Sequence, residues 1–149
     1  MIFIIITIGL FILELCIKNH IVKTKPLNEE VPIIKDKLAI QYTKNKGAFY
    51  STFEDKSKVI CGLSSGFLAV LCIIYSVILS KKGHNITKLG LSLVISGGLS
   101  NVYDRIKRKH VVDYIYWDKL KKIIFNLADV FIFIGSILTV IGEIISENK

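Results

Sequence analysis

The amino-acid sequence predicts an all-α membrane protein of four transmembrane helices, with a small β element between helices 1 and 2. Three observations carry this reading. Hydrophobic residues make up 52% of the 149, and the mean hydropathy of +0.54 is high for a water-soluble domain. The net charge of +8, from 20 Lys+Arg and 12 Asp+Glu, is gathered between apolar runs rather than spread along the chain. The runs themselves have the length, about 20 residues, that a helix needs to cross a hydrocarbon core of roughly 30 Å. This composition excludes a disordered chain, a disulfide scaffold and a collagen-like fibre. It also argues against a nucleic-acid partner, which would require a soluble basic face.

The first span is expected over residues 2–22. Met1 to Leu13 is uncharged, and Glu14 and Lys18 interrupt the run before Ile21 and Val22. A secretory signal peptide would carry a basic leading region and a small-residue cleavage site, and neither is found here, so the span reads as uncleaved. The second span, 59–80, holds 22 uncharged residues. The third, 85–103, has Lys88 as its one charge, and the fourth, 123–145, holds Asp129. We expect a single integral membrane domain over residues 1–149, acting as a monomer.

Connectivity places segments 23–57 and 104–122 on one side of the membrane. The 81–88 turn and both termini fall on the other. The positive-inside rule leaves the orientation open: the short turn holds Lys81, Lys82 and Lys88, while nine Lys lie between Lys18 and Lys58 and seven Lys+Arg between Arg105 and Lys122.

In the long first segment, residues 38–43 and 48–53 read as strands, with Asn45-Lys46-Gly47 as the turn between them. Residues 111–117 are β-rich and aromatic, and their Tyr and Trp suit the membrane interface.

An ionisable side chain inside a span costs about 2.5–3.5 kcal/mol or more on insertion scales, so those present are functional candidates. Asp129 lies roughly 9 Å beyond Ile123 at 1.5 Å per residue, with Asn126 expected on the same helical face. Asn101, Asp104 and Arg105 fall at the end of the third span. By connectivity these groups, Glu14, Lys18, the 45–47 turn and Asp113 all lie toward one side of the membrane. Taken singly, Glu14 and Lys18 read as a structural ion pair, Asp104-Arg105 equally as a solvated helix end, and Asp113 as a surface carboxylate.

Other chemistries fit poorly. His20, His84 and His110 lack ligand spacing, so neither a metal nor any other cofactor is expected. Cys16, Cys61 and Cys72 read as small buried hydrophobes, and Gly62-Leu63-Ser64-Ser65-Gly66 as a helix-packing face rather than a serine nucleophile site.

Four blocks together carry a resemblance. Asn45-Lys46-Gly47-Ala48-Phe49-Tyr50-Ser51 resembles the Asn-x-Gly-Ala-x-Phe-Ser loop of lipoprotein signal peptidases (type II signal peptidases). Residues 97–105, Gly-Gly-Leu-Ser-Asn-Val-Tyr-Asp-Arg, resemble their Gly-Gly-x-x-Gly-Asn-x-x-Asp-Arg block. Val111-Val112-Asp113-Tyr114 resembles their Val-x-Asp-Phe segment, and Phe125-Asn126-Leu127-Ala128-Asp129 their Phe-Asn-x-Ala-Asp motif. The blocks keep the family's order and spacing. The chain departs from the pattern at Glu14-Leu15, where Asp-Gln is usual, and at Tyr50, Ser100, Lys109 and Val130.

The resemblance implies an aspartic endopeptidase of the bacterial cytoplasmic membrane that cuts diacylglyceryl-modified prolipoproteins just before the lipidated Cys. It implies Asp113 and Asp129 as the catalytic pair. Asn45, Gly47, Asn101, Asp104, Arg105 and Asn126 are implied as supporting or substrate-binding residues, with Asp104 holding the Arg105 guanidinium. It also implies an extracytoplasmic active site and β element, with lipidated precursors and membrane lipid as partners. An alternative, motivated by the departures at Glu14, Leu15 and Ser100, is a weak or inactive relative that binds lipoproteins or serves a transporter.

Overall fold

Uncharged runs become long helices because hydrocarbon cannot satisfy a bare backbone, whereas a helix bonds its own N–H and C=O groups. In the computed structural model, which describes residues 1–34, 37–47, 57–118 and 123–147, this gives four helices: α1 (Ile2–Thr24), α2 (Ser57–Ser80), α3 (Asn85–Lys107) and α4 (Leu127–Glu147). Among the described residues, α1, α2 and α4 are long and apolar enough to cross a membrane. Their outward faces carry exposed apolar side chains such as Ile5, Phe67, Ile73 and Phe133. Cys16 and Cys72 lie on these outer faces too, rather than in the core expected for them, and Cys61 is partly buried.

The expected third span is a helix that continues to Lys107, but its composition is not apolar enough to place it among the three. Packing explains why. Helix α3 contacts α1, α2 and α4 and sits at the centre of the bundle. A helix covered by three others needs small and polar contact residues more than a lipid-compatible surface. Its buried Ser92, Ser96 and Ser100 recur every fourth residue and share one face. A chain of hydroxyls ties three helices together: Thr7 Oγ1 lies 3.1 Å from Tyr75 Oη, which lies 2.8 Å from Ser92 Oγ. At Gly97 a Cβ would collide with the Ala128 carbonyl oxygen, so glycine lets the start of α4 pack directly on α3.

The expected fourth span begins later than its apolar run. Residues Ile123–Phe125 form strand β4, and the helix starts only at Leu127. Three apolar residues are compatible with either state; here they pair with β3 (Val111–Trp117), with Ile115 opposite Phe125 and Trp117 opposite Ile123.

The sheet is antiparallel, in the order β1-β2-β3-β4. Strands β1 (Glu30–Ile34) and β2 (Leu38–Asn45) come from the segment after α1, and β3 and β4 from the segment after α3. The β element is therefore not built between helices 1 and 2 alone. The strand expected over residues 38–43 is β2; the one expected over 48–53 lies outside the described residues. A bulge between Ile40 and Thr43 separates two registers, and beyond it Thr43 faces Asp113 and Asn45 faces Val111. The sheet is joined to the bundle by one apolar cluster, in which Ile21 of α1, Tyr42 of β2, and Val112 and Tyr114 of β3 pack with Ile17 and Leu127.

Candidate active site

The polar residues singled out from the sequence meet where the sheet joins α1, α3 and α4. Asn126 is the junction. It follows β4 and caps α4, so it is not on the helical face expected from its spacing to Asp129. Its Oδ1 accepts the Asp129 N–H at 3.0 Å, and Asp129 Oδ2 accepts the Asn126 N–H at 3.1 Å. This reciprocal pair is a capping box, in which two backbone donors left over at a helix start are satisfied at once. Asp129 consequently sits in the first turn of α4, where the helix dipole favours negative charge. Its other oxygen, Oδ1, accepts Asn101 Nδ2 at 2.9 Å.

Asp113 comes from the middle of β3 and is 4% exposed. Its Oδ1 accepts Asn126 Nδ2 at 2.7 Å and its Oδ2 accepts Asn45 Nδ2 at 3.0 Å. Asn45 is itself oriented from below: its Oδ1 accepts the Gly47 N–H at 3.0 Å, an Asx turn that leaves the amide nitrogen aimed at Asp113. Burial, followed by the negative charge of Asp129, pushes the Asp113 carboxyl up to about 7, against the opposing pull of the donors from Asn45 and Asn126.

Behind the two carboxylates lies a buried ionic network. Lys18, wholly buried, donates to Asn101 Oδ1 at 2.9 Å, which fixes the Asn101 amide with its Nδ2 toward Asp129. The same Nζ lies 3.0 Å from Asp104 Oδ2 and 3.8 Å from Glu14 Oε1. The expected ion pair with Glu14 is thus present, but Asp104 is the nearer carboxylate. Asp104 also accepts the Val112 N–H at 3.1 Å, which ties α3 to the strand carrying Asp113. Besides Lys18, the cation paired with Asp104 is Arg108, at 3.0 Å, rather than the expected Arg105. Helical spacing explains this: residues i and i+4 share a face, whereas adjacent residues point about 100° apart. Arg108 is not among the residues singled out from the sequence, and its spacing from Asp104 is the signal that locates it.

Arg105 instead turns to an open cleft of about 320 Å³, lined with it by Asn45, Asn101, Asp113 and Asp129 and closed by apolar residues including Phe125, Ile132 and Phe133. Its Nη1 donates to the Asn101 carbonyl at 3.3 Å. Asn126 and Asp104 lie behind the wall, both fully buried. A second, more apolar pocket of about 220 Å³ adjoins the cleft across Asn101, Arg105 and Ile132, and runs between α2 and α3 past Phe67, Leu68, Leu71 and Val102. Among the described residues, no group of three or more His, Cys, Asp or Glu side chains is placed to hold a metal ion.

Fold and site together define a helical membrane protein that presents two hydrogen-bonded carboxylates to one cleft at an end of its bundle. A family model described as Signal peptidase (SPase) II matches residues 6–145, and the chain belongs to that family of membrane aspartic peptidases. It is 36% identical to the lipoprotein signal peptidase of Clostridium tetani over 141 residues, which cover 93% of this chain and 88% of the relative. It is 31% identical to that of Lactobacillus johnsonii over 147 residues, covering 99% and 94%. A solved bacterial membrane enzyme superposes with a TM-score of 0.84 at 25% identity, covering 99% of this chain and 90% of the other.

Proposed function

We propose that the chain removes signal peptides from diacylglyceryl-modified prolipoproteins, cutting before the lipidated Cys, with Asp113 and Asp129 as its catalytic pair. The observation that carries this reading is the shared cleft. Two carboxylates from different elements, bridged by Asn126, face one open volume beside an apolar pocket.

The two carboxylates have different surroundings, and this separates their roles. Asp113, buried and held up to about 7, keeps the proton that the pair shares. Asp129, at a helix start with both oxygens accepting donors, is the acceptor that takes a proton from water. Water adds to the scissile carbonyl carbon as Asp129 removes its proton, and the Asp113 proton goes to the carbonyl oxygen. On collapse the C–N bond breaks, the leaving amine takes the proton from Asp129, and one hydroxyl of the tetrahedral intermediate returns its proton to Asp113, which restores the pair. Asn45 and Asn101 hold the carboxylates, Gly47 holds Asn45, and Arg105 offers donors to substrate carbonyls. Asp104 and Asn126 support the site from behind.

In this reading α3 spans the membrane as the fourth crossing, shielded from lipid by its three neighbours. The sheet and cleft face the outside of the bacterial cytoplasmic membrane, and a monomer suffices because every site residue comes from one chain. The apolar pocket beside Arg105 takes the lipid-borne part of the substrate while the scissile bond stays at the polar end. The test is an assay of purified protein on one precursor with and without diacylglycerol on its Cys. Cleavage of the lipidated form alone supports the reading. Binding of it without turnover, or equal cleavage of both forms, contradicts it.

A further inference from the structure

Glu14 is fully buried in α1 and does not line the cleft, yet it touches the residue next to each cleft carboxylate. Its Oε1 accepts the N–H of Ala128, which precedes Asp129, at 3.3 Å. Its Oε2 accepts the hydroxyl of Tyr114, which follows Asp113, at 2.8 Å. The Tyr114 oxygen in turn accepts the Leu127 N–H at 3.3 Å. With Asn126 taking the Asp129 N–H, the first three backbone donors of α4 each have a side-chain acceptor: Tyr114, Glu14 and Asn126. Burial and the negative charge of Glu14 both raise the Tyr114 hydroxyl above its ordinary range, so it stays the donor in this pair.

We infer that Glu14 and Tyr114 act as a positioning pair that sets the spacing between Asp113 and Asp129 by clamping the start of α4 to strand β3. This rests on the reading of Asp113 and Asp129 as the catalytic pair. Strand β3 and helix α4 are joined through β4, a strand of three residues. Asn126 bridges the carboxylates from the front of that joint, and Glu14 bridges the adjacent backbone from behind. A carboxylate with one oxygen on each element fixes their separation, and a side chain one methylene shorter cannot reach both. An error of about 1 Å in such a constellation can cost about 10²-fold in rate.

The test compares Glu14→Asp, Glu14→Gln, Tyr114→Phe and the double variant Glu14→Asp/Tyr114→Phe on a lipidated precursor, with thermal midpoints in the same detergent. Tyr114→Phe removes one oxygen and keeps the ring in the apolar cluster with Ile21, Tyr42 and Val112. Glu14→Asp and Tyr114→Phe should each lower kcat about 10- to 100-fold while KM stays within about threefold. The double variant should fall no further than the worse single one, because both break one clamp. Glu14→Gln, which keeps the length and an acceptor for Ala128, should retain more activity than Glu14→Asp. Wild-type kcat in the single variants, or independent multiplying losses in the double one, overturns the inference whatever the thermal midpoints do. Failure of the underlying reading registers elsewhere: Asp113→Asn or Asp129→Asn protein that still cleaves contradicts the catalytic pair, whereas inactive Asn variants beside fully active Glu14→Asp contradict the clamp alone.

Discussion

The side-chain amide of Asn126 donates to Asp113 Oδ1 at 2.7 Å. Through its backbone N–H the same residue also holds Asp129 Oδ2 at 3.1 Å, so one asparagine bonds both cleft carboxylates. Its two duties separate by mutation. Serine can cap a helix but cannot reach Asp113 with a donor amide. Asn126→Ser should therefore keep its thermal midpoint close to wild type while kcat falls about 10²–10³-fold, the usual cost of one preorganised donor. Asn126→Ala should lose the activity and also about 1 kcal/mol of stability with the cap. Steady-state kinetics beside thermal unfolding of the two variants checks this.

The second prediction concerns pH. With Asp113 at about 7, raising the pH through that value removes the shared proton, so kcat/KM should fall on the alkaline side with an apparent midpoint near 7. The donor from Asn45 favours ionised Asp113, so Asn45→Ala should move the alkaline limb to higher pH. A limb that moves to lower pH would contradict the hydrogen-bond assignment.

The third prediction concerns stability and follows from the same carboxyl. Asp113 is raised in the folded state above its ordinary 3.8. A carboxyl raised in this way adds stability below its ordinary value and loses that contribution as pH rises through about 7. Asp113→Asn lacks this contribution, so the difference in thermal midpoint between wild type and variant should shift in favour of the variant between pH 4 and pH 8. A pH-independent difference would contradict the elevated value.

The fourth concerns Lys18, whose Nζ sits wholly buried among Asp104, Asn101 and Glu14. Lys18→Met leaves Asp104 and Glu14 without that charge, and should destabilise by about 3–5 kcal/mol, the usual cost of removing one partner from a buried pair. Lys18→Met/Asp104→Asn should recover part of that loss. Unfolding in detergent of the single and double variants measures it.

The parts of the molecule legible in its sequence were those governed by a single local rule. Helices α1 and α2 follow from uncharged runs, and β2 and β3 from β-branched and aromatic residues flanked by turn signals. What escaped depended on tertiary partners. The largely apolar run from Ile123 continues past Asn126 and Asp129 into α4, and only pairing with β3 makes its first three residues a strand. Strand β1 (Glu-Val-Pro-Ile-Ile) is short, exposed along its length and interrupted by Pro32, so it carries no alternation to read. Helix α3 reads as a span by a length that holds one charge, Lys88, yet its serines make sense only once three helices surround it. At the site, Asp113, Asp129 and their asparagines were legible as motif residues, but the capping role of Asn126 was not, because it depends on where α4 begins. Glu14 stood out as the expected ion-pair partner of Lys18 and as a departure from a pattern; its other partner, Tyr114, lies 100 residues away in sequence, beyond any local rule.

The central claim is that Asp113 and Asp129 perform the chemistry together. The most direct measurement is single-turnover cleavage of a lipidated precursor by purified wild type, Asp113→Asn and Asp129→Asn, each confirmed as folded by its thermal transition. The account predicts product from the wild type and none from either variant, with precursor binding retained in both. Wild-type product formation by either folded variant would contradict it.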